Sequence, residues 1–288
     1  MTRETHIIFD RLLYVKRLQR ARLTGPDILT RSIAAELAER LGVITRGFNT
    51  ICIIAPDPQP IADAVNSMEK ARAVEARDVS PDDDLKLEPG SFDAIFNILD
   101  LHAVNDVPGQ LSQMQRALVP DGLFLSCLFA GDTLGELRQS WLAAEVQLTG
   151  GASPRVAPMI GVRELGSLLQ RAGFALPVAD LDRTIVRYPD AISLIHEVRS
   201  LGMSNNLMGR SRSAVSRRLL GAAAAYYQDH FADADGRVRA TLEVAWLTGW
   251  SPHGSQQQPL KPGSATMRLA DALKVSETKL TADRSSAE

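Results

Sequence analysis

The chain has 288 residues, of which 45% are apolar and 5% aromatic, and its formal net charge is −2. This length is sufficient for one large domain with a filled core, followed by a tail. The evenly mixed charge argues against a broad nucleic-acid surface or a polybasic membrane patch. Because no stretch has the ~18 uninterrupted apolar residues of a membrane span or the apolar core of a signal peptide, a soluble, cytoplasmic protein is expected.

Residues 1–28 are predicted to form a basic N-terminal helix. Within FDRLLYVKRLQRAR, apolar residues recur at helical spacing beside five cations: Arg11, Lys16, Arg17, Arg20 and Arg22. The alternative, a mitochondrial transit peptide, is disfavoured because Glu4 and Asp10 are acids that such peptides avoid. A contact with an anionic partner or lipid stays open, whereas nucleotide or RNA binding would depend on these five charges alone.

Residues 29–250 are predicted to form the main domain, in which helices and strands alternate. The helix TRSIAAELAERLGVI has Thr30 as a candidate N-cap and Glu36 and Arg40 as an i,i+4 pair. Apolar runs predict strands at NTICIIA, ARAVEARD, FDAIFNILDL and LFLSCLF, separated by the helical patterns IADAVNSMEKAR and GQLSQMQRAL. In AGDTLGELRQSWLAAEV, Thr133 and Glu136 have the spacing of a capping box.

The remaining chain continues the domain and then changes in composition. Helices are predicted at GVRELGSLLQRAGF, DAISLIHEVRSL and SRRLLGAAAAYYQDHF, and strands at LPVADLDRTIVRY and RATLEVAWLTGW. Residues 251–288 are rich in Gln, Pro, Ser and charged residues, so they are expected to form a C-terminal extension whose last part is disordered.

The alternation of strands and helices predicts an α/β fold with a doubly wound, mostly parallel sheet. Ligands bind such sheets beyond the carboxyl ends of the strands, which places the candidate site in the loops after Ile54, Asp78, Leu99 and Phe129. Only a short acidic segment separates Asp78 from Phe92, and it is too short for a βαβ crossover of at least ~10 to 12 residues plus a strand. A shortened third-strand region is therefore expected.

Cysteine and histidine placement predicts no metal site. Cys52 and Cys127 lie in apolar runs without a Cys-x-x-Cys spacing, as is typical of small core residues in a reducing compartment. The five histidines are scattered singly along the chain: His6, His102, His196, His230 and His253.

Two segments, SFDAIFNILDLHAVND and ALVPDGLFLSCLF, resemble the fourth and fifth strands of class I S-adenosylmethionine (SAM)-dependent methyltransferases. More narrowly, IFDR, LDLHAVND, FAGDTLGELR, GMSNN, the late GW and PGSAT look like the methyltransferase-like assembly factors of respiratory complex I. That resemblance extends to about Leu273. It implies a Rossmann-like methyltransferase fold with extra C-terminal helices, SAM as cofactor, and hydroxylation of an arginine on a complex I subunit. Methyltransferases acting on a carrier-protein-bound malonyl group share the fold.

The opening loop departs from this family. SAM methyltransferases follow the first strand with an acid and a glycine-rich turn, because the backbone must approach the cofactor closely. Here the strand is followed by Pro56, Asp57, Pro58, Gln59 and Pro60, with no glycine. Each proline lacks the N–H donor that such a loop would use and has φ near −65°. The loop is therefore expected to bind SAM poorly.

Other site residues follow from the resemblance. Asp78, Leu99, Asp100 and Asn105 match cofactor-binding positions, with Asp78 in the place of the ribose-binding acid. His102, Asp132 and Arg138 match positions beside the substrate and are the candidate catalytic residues. Each also has a structural interpretation, since Asp132 precedes a helix and a single histidine is more often structural. Packing is favoured over substrate contact for a further set: Asn205, Asn206, Trp246 and Trp250.

Two functions are consistent with these observations. In the first, the chain is a methyltransferase-fold protein that lost ordinary SAM binding and acts by binding a protein partner, such as a respiratory complex I subunit. In the second, it is a SAM-dependent methyltransferase or arginine-modifying enzyme that holds SAM through Asp78 and Asp100. The missing glycine turn favours the first.

Overall fold

A computed structural model describes residues 7–23, 28–257, 267 and 269–275. The chain divides into two units, Met1–His253 and Gly254–Glu288. In the second unit the described residues form one short helix, α9 (Leu269–Leu273). The PGSAT segment and the residues after 275, where disorder was expected, lie outside the described residues.

The first unit is built from alternating helices and strands in the order that the sequence predicts. The helices are α1 (Arg11–Ala21), α2 (Ile28–Gly42), α3 (Pro58–Ser67), α4 (Val107–Ala117), α5 (Gly135–Thr149), α6 (Val162–Arg171), α7 (Ala191–Ser200) and α8 (Arg217–Phe231). The strands are β1 (Phe48–Ala55), β2 (Ala71–Asp78), β3 (Phe92–Ile98), β4 (Leu118–Phe129), β5 (Ala175–Tyr188) and β6 (Val238–Trp250).

The strands form one six-stranded sheet in the order β2-β1-β3-β4-β6-β5. The first four are parallel, and β6 runs antiparallel to both of its neighbours. The predicted Rossmann-like fold is confirmed. Residues 79–91 contain no strand, so β2 forms the edge of the sheet and the shortened third-strand region is confirmed as well.

Both faces of the sheet are apolar because helices cover both of them. On one face, Ile95 and Phe124 pack in a cluster with α1, α4 and α6. On the other, Ile51 and Phe96 pack in a cluster with α2 and α3. A third cluster joins α5, α7 and α8. The predicted burial of the two cysteines is confirmed, and burial raises the pKa of the Cys52 thiol to about 12.

Two predicted helix caps are wrong. Helix α2 begins at Ile28, so Thr30 lies in its first turn. Helix α5 begins after Leu134, which has φ +56°, and no side chain caps it. Thr133 and Glu136 instead bond to strand β6, because that strand runs alongside the start of the helix. Thr133 Oγ1 accepts from the backbone N–H of Glu243, and the Glu136 carboxylate accepts from Thr241.

Candidate functional site

The candidate site lies at the carboxyl ends of β1, β3 and β4, where doubly wound sheets bind their ligands. Strand β1 ends at Ala55 and helix α3 begins at Pro58, so the connecting turn has only two residues. Asp57 occupies the N-cap position without a side-chain hydrogen bond. Proline rings at positions 56 and 58 therefore stand where a phosphate- or cofactor-binding turn would offer N–H donors.

The N-terminal segment covers this end of the sheet, and Asn105 holds it there. Asn105 Oδ1 accepts from the backbone N–H groups of Ile8 at 2.9 Å and Phe9 at 2.8 Å, and its Nδ2 donates to the Phe9 carbonyl. Phe9 also forms an antiparallel bridge with Leu207. The side chain of Asn105 thus positions the chain entering α1. Its predicted cofactor role stays a prediction.

Asp100 is engaged by an arginine of α1. Its carboxylate is fully buried and accepts from Arg11 Nη1 at 2.7 Å and from Nη2 at 3.3 Å. Arg11 Nη2 also donates to the Ser80 carbonyl at 2.6 Å, which ties α1 to the loop after β2. Burial opposes the charge of Arg11, but the carboxylate raises the pKa of its guanidinium above the usual value. The acid predicted to anchor a cofactor is therefore neutralised by the protein itself.

The backbone of Leu99, next to Asp100, is also held by contacts within the protein. Leu99 has φ +52°, and its N–H donates to the Cys127 carbonyl at 2.6 Å. Its carbonyl accepts from the hydroxyl of Tyr14 at 3.0 Å. Burial, followed by the charge of Asp100, raises the pKa of Tyr14, so the hydroxyl stays protonated as a donor. Tyr14 of α1 is thus bonded to the loop that follows β3.

More than one cavity reaches these strand ends. One, of about 30 Å³, is lined mainly by apolar side chains that include Pro56, Leu99 and Phe129. It shares Tyr14 and His102 with a cavity of about 220 Å³, and Phe129 with a cleft of about 580 Å³. SAM is a nucleoside joined to an amino acid, and pockets for ligands of that size occupy about 300 to 1,000 Å³. The Arg11 pair engages the acid, and the prolines of the β1–α3 turn remove N–H donors, so this end of the sheet offers fewer polar partners than the usual SAM site of the fold.

His102 lies in a short 3₁₀ turn after β3 and is buried, with 8% of its surface exposed. Its ring meets the ring of Phe129 edge-on, with the centroids 5.2 Å apart. Burial, reinforced by the charge of Arg11, lowers the pKa of His102 to about 3. The imidazole is therefore neutral near pH 7, and its predicted catalytic role stays a prediction.

Asp78 lies at the end of β2, opposite Ala55 of β1. Its side chain is 62% exposed and pairs with Arg22 at 2.6 Å. An exposed pair of this kind is worth little and exchanges easily with other partners. Asp78 is thus exposed, whereas Leu99 and Asp100 are buried and Asn105 is half-buried, and the role of Asp78 also stays a prediction.

Asp132 lies in the turn before α5, and Arg138 lies in the first turn of that helix. Arg138 Nη1 is 3.4 Å from Asp132 Oδ1, and Arg138 Nη2 donates to the carbonyls of Thr133 and Ala157. The Asp132 backbone N–H donates to Glu243 Oε2 at 2.8 Å. The pair links the loop after β4 to residues 155–159, and its catalytic role is likewise a prediction.

Sequence reasoning did not identify Arg11 and Tyr14 as parts of this site. They were assigned only to a basic amphipathic helix, since a helical pattern gives no information on which distant loop the helix covers. The IFDR segment, which ends at Arg11 and matches the family, was the sequence feature that could have identified this arginine.

The fold and the site define the class of protein: a class I methyltransferase fold with an altered cofactor end. A sequence-family profile described as a methyltransferase domain matches residues 33–126. A solved structure of a putative methyltransferase from Bacillus halodurans superposes with a TM-score of 0.50, covers 80% of this chain and 100% of that chain, and is 13% identical. At that identity the likeness shows the fold alone.

Relatives narrow the class to a family. Human arginine-hydroxylase NDUFAF5, mitochondrial, is 34% identical over 292 residues, which cover 93% of this chain and 84% of that protein. The Danio rerio protein of the same name is 36% identical over 207 residues, covering 72% of this chain and 64% of that protein. The match thus spans just under two thirds of the Danio rerio protein. The chain belongs to the NDUFAF5 family of the class I SAM-dependent methyltransferase superfamily.

These relatives correct one expectation. Both carry names that describe mitochondrial proteins, so the expected cytoplasmic location is wrong. That expectation came from the lack of a membrane-length apolar run and of a signal-peptide core, and from a composition rule for transit peptides, all of which are weak guides to location. Separately, none of the helices in the described residues is long and apolar enough to cross a bilayer. Those residues also contain no group of three or more His, Cys, Asp or Glu side chains arranged to hold a metal ion.

Proposed function

We propose that this chain acts in the assembly of respiratory complex I by binding a protein partner, and that it does not bind SAM in the usual mode of its fold. Membership of the NDUFAF5 family supports the process. The observation that carries the second part is the Arg11–Asp100 pair, because it places a helix of the protein over the cofactor end of the sheet.

The electrostatics agree with this proposal. The Asp100 carboxylate already has a bidentate arginine partner and gains little from a further hydrogen bond, and freeing it would leave the Arg11 charge buried without its counter-ion. Removing α1 would also expose Tyr14, Val15 and Leu18, which are buried in the core. Opening the site for SAM therefore opposes both charge pairing and apolar burial.

The test is calorimetric titration of the full chain with SAM and with S-adenosylhomocysteine, together with thermal unfolding at millimolar ligand. We expect no saturable heat and no rise in the unfolding temperature, because a ligand that does not bind the folded state cannot stabilise it. Micromolar binding that is lost in Asp78→Ala would overturn the proposal. Asp84→Ala, which removes a nearby exposed loop acid, is the matched control.

The proposed binding of a protein partner is tested separately. The purified chain is immobilised and incubated with individually purified subunits of the peripheral arm of complex I, with and without SAM. We expect one subunit to be retained with the same affinity in both conditions. Retention that requires SAM, or no retention of any subunit, would count against partner binding as the function.

A second candidate is a SAM-using, arginine-modifying enzyme. The relatives named arginine-hydroxylase favour it. A cleft of about 580 Å³ between α2, α7 and strands β5 and β6 also carries the carboxylates of Glu36, Asp182 and Glu197, which suit a guanidinium. If this candidate is right, an arginine-containing peptide should bind the chain, and Asp182→Asn with Glu197→Gln should weaken it about tenfold or more.

A further inference from the structure

A second cavity adjoins the cofactor end, where Tyr14 and His102 line it, and extends between α1, α5, α7 and the segments at residues 155–159 and 203–206. Its volume is about 220 Å³. Most of the side chains that line it are apolar, including Leu137, Trp141 and Val198. Neither the closed cofactor end nor the proposed partner binding explains why the fold keeps this space.

Two residues that line the cavity each carry a buried polar atom without a partner. His102 Nδ1 and Asn206 Nδ2 are buried without a hydrogen bond in the described part of the chain. Leaving such a group unpaired costs about 1–3 kcal/mol, so native structures normally satisfy it with protein, water or ligand. The amide nitrogen of Asn206 can only donate, so it takes an acceptor from water or from a ligand's head group and not from an alkyl chain.

Beside this cavity lies a basic cleft between α1 and α7. The residues that line it are Arg17, Arg20, Ala21, His196, Arg199, Ser200 and Ser204. No carboxylate is among them. Arg199 and Ser204 line both the cleft and the apolar cavity, so the two spaces adjoin.

Carboxylates in the described part of the chain do not pair directly with the arginines of this cleft. Among the described residues, Arg17, Arg20 and Arg199 form no ion pair with a carboxylate, and the nearby Asp10 is engaged by Arg210 at 3.0 Å. Arg17 Nη1 donates only to backbone carbonyls, of Ser204 at 2.8 Å and of Asn205. Burial, and then the charge of Arg210, lowers the pKa of Arg17. Clustered cations of this kind favour an anion.

We propose that the cavity and the cleft form one site for a small amphipathic anion, whose apolar body lies in the cavity and whose carboxylate or phosphate lies between Arg17, Arg20 and Arg199. The cavity excludes water from the apolar body, and the guanidinium groups supply charge-assisted hydrogen bonds to the head group. The site does not depend on SAM and goes beyond the assembly function proposed above.

The first experiment titrates the full chain calorimetrically with octanoate, octyl phosphate, inorganic phosphate and neutral octanol, without SAM. We expect octanoate and octyl phosphate to bind saturably, inorganic phosphate more weakly, and octanol at least tenfold more weakly than octanoate. Affinity should fall as salt rises, since the exposed charges are screened. The tighter of octanoate and octyl phosphate identifies the head group.

Variants locate the binding. Arg20→Gln and Arg199→Gln should each weaken octanoate about tenfold, because each removes charge-assisted hydrogen bonds. Arg163→Gln, which removes an exposed arginine on α6, is the matched control and should leave the affinity unchanged. Ala157→Leu, which narrows the cavity, should weaken octanoate and leave inorganic phosphate unaffected. Thermal unfolding of each variant confirms that it is folded.

Three outcomes would overturn the proposal: no saturable binding of octanoate or octyl phosphate at millimolar concentration, octanol binding as tightly as octanoate, or equal affinities in Arg199→Gln and Arg163→Gln. None of these outcomes bears on the SAM titration, so this proposal and the assembly function can fail separately.

Discussion

Arg11 and Asp100, 89 positions apart in the chain, form an ion pair in which the guanidinium is 4% exposed and the carboxylate 0%. The pair holds α1 against the loop after β3. A buried pair of this kind adds little net stability over apolar residues, but removing one partner leaves a buried charge without compensation. It therefore makes the position of the N-terminal helix sensitive to single substitutions.

Arg11→Met should lower the free energy of unfolding by about 3–5 kcal/mol, because Asp100 would stay buried without its counter-ion. Urea unfolding measures the change. Arg22→Gln is the control: it breaks the exposed pair with Asp78 and should cost about 0–1 kcal/mol. The double variant Arg11→Met, Asp100→Leu should recover most of the loss. A loss below 1 kcal/mol in Arg11→Met would show that the pair is not buried in solution.

His102 should make stability depend on pH on the acid side. Its folded pKa is lowered from 6.5 to about 3 by burial and then by Arg11. The unfolded chain therefore binds a proton as the pH falls through 6.5, which the folded chain does not bind until about pH 3. Stability should fall with pH across this window, and His102→Phe should flatten the dependence.

Urea unfolding at a series of pH values checks this prediction, and ring resonances of His102 provide a direct reading. They should stay at their neutral-form positions as the pH passes through 6.5. A titration midpoint near that value would mean that the ring is solvated.

Position 131 requires glycine because of its backbone conformation and a close neighbouring side chain. Its φ is +55°, and an added Cβ would overlap the Glu243 carboxylate that accepts from the Asp132 N–H. Gly131→Ala should therefore lower the free energy of unfolding by about 1–3 kcal/mol. Gly221→Ala is the matched control, since it lies within α8 with no atom within 4 Å of the added Cβ, and should raise stability by about 0.4–1 kcal/mol. Equal effects would contradict the strained geometry.

Glu145 fixes the segment that carries Ala157. Burial raises the pKa of its carboxyl group, but hydrogen bonds from Ser153 and Arg155 outweigh burial and lower the pKa below 4.5. Because the folded pKa is depressed, the stabilisation is present above pH 4.5 and is lost as the pH falls below it. Glu145→Gln should cost about 1–3 kcal/mol at pH 7, and the difference should shrink in acid.

Denaturant unfolding at pH 7 and in acid measures this difference. Glu39→Gln, which removes an exposed carboxylate on α2, is the control at pH 7 and should change stability by less than about 0.5 kcal/mol. A difference for Glu145→Gln that grows as the pH falls would contradict the assigned hydrogen bonds.

Local patterns were sufficient for much of the fold. Apolar runs such as NTICIIA predict buried strands because both faces of a parallel sheet are covered. The pair of Glu36 and Arg40 formed as predicted, at 2.9 Å, because its spacing within one helix determines the contact. The capping box at Thr133 and Glu136 was wrong because strand β6, more than 100 residues away, offers both side chains other partners.

By itself, the sequence determined the order of the elements, the shortened edge of the sheet, the absence of a glycine turn after β1 and the family. These follow from periodicities and motifs that a few neighbouring residues define. Only the tertiary structure decided that Arg11 neutralises Asp100, that Asn105 holds the N-terminal segment, and that α1 and α7 place their arginines beside an apolar cavity. Such contacts join residues about 90 to 190 positions apart, and no local pattern encodes which distant partner a side chain meets.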